Sequence, residues 1–280
     1  LNPSALVPPL VPDEQNFAAT PYLAPLFDYV PGSEQSDRPV AVGQMGSLSP
    51  RYEAAASRVK PRQVVRSNSW VSAGMDLSAW HAAFLKGTNA AVSEDEADAV
   101  RTARYGLRGP VPTAPAAELK TLNSQPSTKL PTVAEAAAGV LAALAEAEPV
   151  LEELRAASRR PYSRFNLRYD TDNPAAILLP HYAVLKRAFQ VLQLRASAEL
   201  ALGRTDQAFE DIQFMFRLTD TIRDEPFLIG YLVRLATMQI ALQPLAEGLA
   251  RHQWSDAQLR AFEQRLLLRR PEQVVEGQPL

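Results

Sequence analysis

The sequence predicts an all-α fold of irregular antiparallel helical hairpins, preceded by a Pro-rich extended arm. Three observations lead there. Apolar residues recur every three or four positions through most of the C-terminal half, the period of one helix face. No run in that half alternates apolar and polar residues as a half-buried strand does. Ten of the 23 prolines fall within residues 1–66, where no helical period is sustained.

Composition sets the outer limits. The chain has 280 residues, 46% hydrophobic and 21% charged, enough for one large domain or two small ones. A formal charge of −2 gives no general pull toward nucleic acid or anionic lipid. The absence of cysteine removes disulfides, Cys-ligated zinc and thiol chemistry together. The chain begins at Leu1 with "LNPSALVPPLVP", too short and too broken by proline for a signal peptide or a span. The expectation is therefore a cut end, with any targeting or anchoring segment upstream.

Taken in order, "VPPLVPDEQNFAATPYLAPLFDYVPG" alternates proline with apolar residues that disordered tails lack. Phe17, Tyr22, Leu23, Leu26, Phe27 and Tyr29 suit an arm docked on a folded body. Asp76 is placed to cap "LSAWHAAFLKG", with Leu77, Trp80 and Phe84 on one face and Gly87 as the stop. Ser93 and Glu96 have the spacing of a capping box, and the stretch from Gly109 to Pro131 reads as a Pro/Ser/Thr-rich loop.

Beyond it, Thr132 and Glu135 form another capping box before "AAAGVLAALAEAE". Pro149 begins or kinks a helix that Pro161 ends. Between His181 and Leu202, Tyr182, Leu185, Phe189, Leu192, Ala196 and Leu200 make an apolar stripe. Lys186, Gln190, Gln193 and Ser197 make the polar one opposite. Gly203 stops this helix and Thr205 or Asp206 starts its partner, with Phe209, Ile212 and Leu218 facing inward. The run from Phe227 to Ala250 has the length of a membrane span. Arg234, Gln239, Gln243 and Pro244 argue instead for a buried core helix. Ser255 caps the last helix.

The stretch "LRASAELALGRTDQAFEDIQFMFRL", Leu194 to Leu218, resembles a tetratricopeptide (TPR) repeat. Ala198, Gly203, Asp206 and Ala208 sit where that motif has small, turn, acidic and small residues. Met215 and Asp220 depart from it, and the next hairpin has a longer first helix, so no 34-residue period is kept. The resemblance implies a TPR-like α-α superhelix without a regular array. The expected regions are an arm over 1–66, short helices and a loop over 67–131, and a TPR-like domain over 132–280.

A second resemblance spans most of residues 8–268. It is carried by "VPDEQNFAATPYLAPLFDY", "DLSAWHAAFL", "RPYSRFNLRYD", "LLPHYAVLKRAFQVLQLRASAELALGRTDQA" and "EPFLIGYLVRLA". Together these resemble an uncharacterised bacterial helical family of Planctomycetes and Verrucomicrobia. The resemblance implies an N-terminal membrane anchor and an extracytoplasmic, envelope-facing domain. It implies no activity.

Candidate chemistry is sparse. His81, His181 and His252 keep no metal-ligand spacing, and His181 is read as an ordinary first-turn residue. "YDTDNP" at Tyr169–Pro174 opens like a calcium loop but lacks its Gly and closing Glu, so Asx turns are preferred. "GQMGSLS" at Gly43 lacks the Lys of a phosphate loop. Arg155, Arg159, Arg160, Arg164 and Arg168 cluster with Tyr162, Phe165 and Tyr169, the best local candidate for an anion-binding surface. Pairing with Glu152, Glu153 and Asp170 is the plainer reading of these cations, and the favoured one. Glu210, Asp211, Asp220, Asp224 and Glu225 crowd one helix end, and Trp70, Trp80 and Trp254 could stack sugars; a polysaccharide hydrolase needs such a pair of carboxylates. The expectation, over the alternative of an all-α hydrolase that acts on polysaccharide with an Asp/Glu pair, is a non-enzymatic binding or scaffold protein without metal or cofactor. Its candidate contacts are Arg159, Arg160, Arg164, Arg168, Lys186, Gln190 and Gln193, offered to a protein or peptide partner.

Overall fold

The computed structural model describes residues 8–30, 38–39, 48–59, 74–89, 131–167, 169 and 177–267. The protein is all-α. Eight α-helices occur among the described residues: α1 (Pro50–Arg58), α2 (Leu77–Asn89), α3 (Val133–Leu144), α4 (Glu148–Ala157), α5 (Pro180–Ala201), α6 (Thr205–Asp220), α7 (Leu228–Ala250) and α8 (Asp256–Leu267). The expected cap at Ser93–Glu96, the loop after Gly109, Trp70, the Gly43 stretch and Asp170–Pro174 lie outside the described residues.

Local chemistry starts the helices where the sequence places them. Ser49 accepts from the Tyr52 N–H at the head of α1, and Asp76 Oδ1 accepts from the Ala79 N–H at 2.9 Å. At α3 the capping box is complete: Glu135 N donates to Thr132 Oγ1 at 3.2 Å, and Thr132 N donates to Glu135 Oε2 at 2.7 Å. Pro149 occupies the first turn of α4, where a missing N–H costs nothing. Ser255 and Gln258 exchange the same pair of bonds at the start of α8. One stop differs from expectation: α2 runs through Gly87 to Asn89, since glycine permits helical angles as readily as it ends them.

The helices pack in a chain of neighbours, α1 on α2, α2 on α3 and α3 on α5, with α5, α6 and α7 in mutual contact. Helix α5 is the hub. Leu185, Phe189, Leu192, Ala196 and Leu200 are buried as the stripe requires. Val191 and Leu194, off that stripe, are buried too, because α5 has neighbours on several sides. The turn to α6 is made at Gly203, whose φ of +72° is left-handed backbone that a Cβ would strain. Phe262 of α8 meets Phe209 and Phe216 of α6, at 4.9 and 6.4 Å between ring centroids.

Residues 8–30 are not an extended arm. They form three short 3-10 turns at Asp13–Gln15, Phe17–Ala19 and Ala24–Phe27. Pro12 and Pro25 fix φ but withhold donors, and most of the bonds that close link residues three apart, with the Ala24 N–H reaching the Thr20 carbonyl four residues back. Phe17, Leu23, Leu26 and Phe27 are buried, with Phe17 and Phe27 against Phe165. A two-residue antiparallel pair joins β1 (Tyr29–Val30) to β2 (Arg38–Pro39).

Helix α7 is buried on one side only. Gly230, Thr237, Ala241, Pro244, Glu247 and Gly248 face the body. Leu228, Ile229, Tyr231, Leu232 and Leu235 are exposed. By length and composition α7 is long and apolar enough to cross a membrane, yet 22% of its most apolar window is buried. The expected core helix is thus a half-covered one.

Candidate functional site

The arginine segment after α4 is a seat for residues 8–30. Arg160 Nη1 donates to the Asn16 carbonyl at 2.8 Å, and Arg164 Nε donates to the Pro8 carbonyl at 2.9 Å. Asn16 answers with its amide, giving Nδ2 to the Arg164 carbonyl and taking the Arg164 N–H on Oδ1. The Phe17 N–H and Tyr162 carbonyl complete the seam at 2.8 Å. Backbone carbonyls, which carry partial negative charge, thereby fill the places an anion would take on Arg160 and Arg164. Arg159 is exposed and Arg168 lies outside the described residues. Arg155 pairs with Glu152 as expected, at 3.3 Å, while Glu153 turns instead to the Tyr22 N–H at 2.7 Å. Beside those acids Tyr22 has its phenol pushed up to about 12, first by burial and then by Glu53 and Glu153.

The polar stripe of α5 divides. Lys186 is exposed, and Gln190 accepts from Arg187 at 3.3 Å. Gln193 and Ser197 instead face α7 and join a buried polar layer. Gln193 donates to Gln243, and Gln243 and Ser197 both donate to Glu247 Oε2, at 2.9 and 3.0 Å. Arg251 closes on the other oxygen of Glu247 at 2.8 Å. The inner half of this stripe is helix-to-helix glue.

A second polar cluster was invisible in the sequence. His181, fully buried, donates from Nε2 to Glu225 Oε1 at 2.8 Å, and the Tyr182 hydroxyl donates to Glu225 Oε2. Phe165 stacks on the His181 ring with centroids 4.0 Å apart. Burial, with the bond to Glu225, raises the Tyr182 phenol well above its ordinary range. A Cβ at position 230 would stand 2.6 Å from the Tyr182 oxygen, so Gly230 lets α7 approach. The cluster is sealed, the Glu225 side chain being 3% exposed, and it pins the start of α7 to α5. Proximity of His181 to Glu225, 44 residues away, left no local signal.

The open site lies elsewhere, between α3–α4 and α5–α6. It is a cleft of about 490 Å³ floored by Leu141, Leu144 and Ala145. Its wall carries six carboxylates, Glu148, Glu152, Glu199, Asp206, Glu210 and Asp211, against two guanidiniums, Arg155 and Arg195. Asp211, itself buried, takes Arg195 Nε on Oδ2 at 2.7 Å and Arg155 Nη2 on Oδ1 at 3.1 Å. Burial pulls the Arg195 guanidinium down, but Asp211, Glu148 and Glu152 outweigh it and raise it overall. Glu199 is held above the usual carboxylate range, mainly by burial and against the pull of Arg204. Glu152, Asp206 and Glu210 face solvent.

Sequence reading singled out Glu210 and Asp211 for this density, and the fold brings both to the cleft. It sends Asp220 to Arg265 and Glu225 into the sealed cluster. Among the described residues no aromatic side chain lines the cleft, and Trp80 and Trp254 are buried in the core. Among the described residues no group of His, Asp and Glu has the arrangement to hold a metal ion. No family model, curated protein or solved structure matches the chain.

Proposed function

We propose that this is a non-enzymatic binding or scaffold protein whose acidic cleft grips a cationic segment of a protein or peptide partner. The observation that carries the reading is the cleft wall, six carboxylates to two guanidiniums over an apolar floor. A lysine or arginine side chain suits both surfaces. Its methylene stem lies along Leu141 and Leu144, and its head reaches the exposed Glu152, Asp206 and Glu210. Asp211 and its two arginines serve as the fixed frame; of the outer acids, Glu152 also pairs with Arg155 at 3.3 Å and Asp206 accepts from Gln258 at 2.9 Å, and the ligand's cation shares them. The setting proposed with it, the extracytoplasmic face of a bacterial envelope, rests on the family resemblance alone.

Fluorescence anisotropy with labelled Lys/Arg-rich and Glu-rich peptides tests the reading. Binding is expected for the cationic peptides only, weakening as salt is raised. The triple variant Glu148→Gln, Glu152→Gln, Glu210→Gln is expected to lose about tenfold or more in affinity. Glu263→Gln, exposed on α8, is the control and leaves affinity unchanged. Equal binding by the triple variant, or none by cationic peptides at low salt, overturns the proposal. So does turnover of a glycan or peptide library to a defined product.

A further inference from the structure

Helix α7 is apolar on both sides. The side packed on the body holds Thr237, Gln243 and Glu247 with three small residues, and Val233, Met238, Ile240, Leu242 and Leu245 pack partly buried against the core. The outer side shows Leu228 at 77% exposure, Tyr231 at 55%, Leu232 at 50% and Leu235 at 47%. At 100° per residue these four fall on one stripe, which Gln239 continues, and Ile229 flanks it. No charged side chain interrupts the stripe between Leu228 and Leu235 apart from Arg234, which lies off it. A soluble surface helix carries polar residues on its outer face.

We infer that this face is the interface between two copies of the chain, paired across a two-fold axis that passes near Leu235. The area is sufficient. The exposed apolar side chains offer on the order of 500 Å² per copy, so a pair buries about 1,000 Å², the threshold for a specific interface. Ala236, Gln239 and Leu249 at the rim add to it. A two-fold axis lays the helices antiparallel, because each copy presents the same patch to the other. A lipid surface is the competing occupant, but the stripe lacks the flanking row of cations that interfacial helices use.

Sedimentation velocity over a micromolar concentration series tests this on the full chain. The wild type is expected to pass from monomer to dimer, and Leu232→Glu with Leu235→Glu to raise the dissociation constant on the order of a hundredfold. Both sites are exposed, and unchanged circular dichroism checks that the variant folds. Because the chain has no cysteine, Leu235→Cys gives a clean second probe. Near the axis it is expected to form a disulfide-linked dimer on mild oxidation, whereas Ala250→Cys at the helix end stays monomeric. A wild-type monomer at the highest concentration overturns the inference, as does a dimer indifferent to the double variant. Binding of that monomer to phosphatidylglycerol vesicles would assign the face to lipid instead.

Discussion

Helices α5 and α7 have nearly equal length and lie in contact, yet they solve opposite problems. Every large apolar residue of the α5 stripe is buried, and its polar residues either reach solvent or bond across to a neighbour. In α7 leucines and a tyrosine face outward while Glu247, Gln243 and Thr237 are turned in. The difference teaches that burial follows the neighbours a helix is given and not its own hydropathy. Surrounded by α3, α6 and α7, α5 can bury most of its circumference; α7 has α5 and α6 on one side.

The largest effect that would sharpen this contrast is Phe189→Ala. Phe189 is fully buried, and the loss of its ring is expected to cost about 3–5 kcal/mol in urea unfolding. The matched change Leu232→Ala is expected to stay within about 0.5 kcal/mol in dilute, monomeric protein. Comparable losses would erase the distinction. Next comes the inward polar side of α7. Glu247→Ala removes the buried acceptor of Ser197 and Gln243 and is expected to cost about 3 kcal/mol, read by the same unfolding curves. A neutral outcome would mean that water replaces the carboxylate and that the layer is not glue.

Smaller still is the turn that sets α6 against α5. Gly203→Ala meets no atom within 4 Å, so its cost is backbone strain alone, about 1 kcal/mol in thermal or urea melts. Gly203→Asn should recover part of it. The smallest effect lies away from both helices. Burial lowers the His81 pKa, against the opposing field of Glu135. Its folded value is below its unfolded value of about 6.5, so the unfolded chain binds the extra proton first. Stability is therefore full above that pH and declines as pH falls toward the folded value. His81→Gln is expected to flatten this part of a stability–pH profile. An unchanged acid slope would locate the effect in another group.

Much of the helical layout was legible because its signals are local. The Thr132–Glu135 box, Asp76, Gly203 and Ser255 each act within a few residues, and each stands where the sequence places it. The apolar stripe of α5 was readable for the same reason. The cleft was half legible: Glu210 and Asp211 stood out by density, but Glu148 and Glu152 lie about 60 residues earlier and join them only through packing. The arginines of the 155–168 segment were read as cations seeking anions. Arg160 and Arg164 met backbone carbonyls instead, a partner type that every residue supplies and no composition reveals.

What the sequence determined by itself was where most helices begin and where α5 turns into α6, since capping hydroxyls, prolines and Gly203 act on their own turn, although Gly87 did not stop α2. The tertiary structure alone decided which faces are covered. An apolar run states that burial would be favourable; only neighbouring elements supply it. For that reason α5 became the hub, α7 kept a bare apolar face, and His181 acquired Glu225 as its partner.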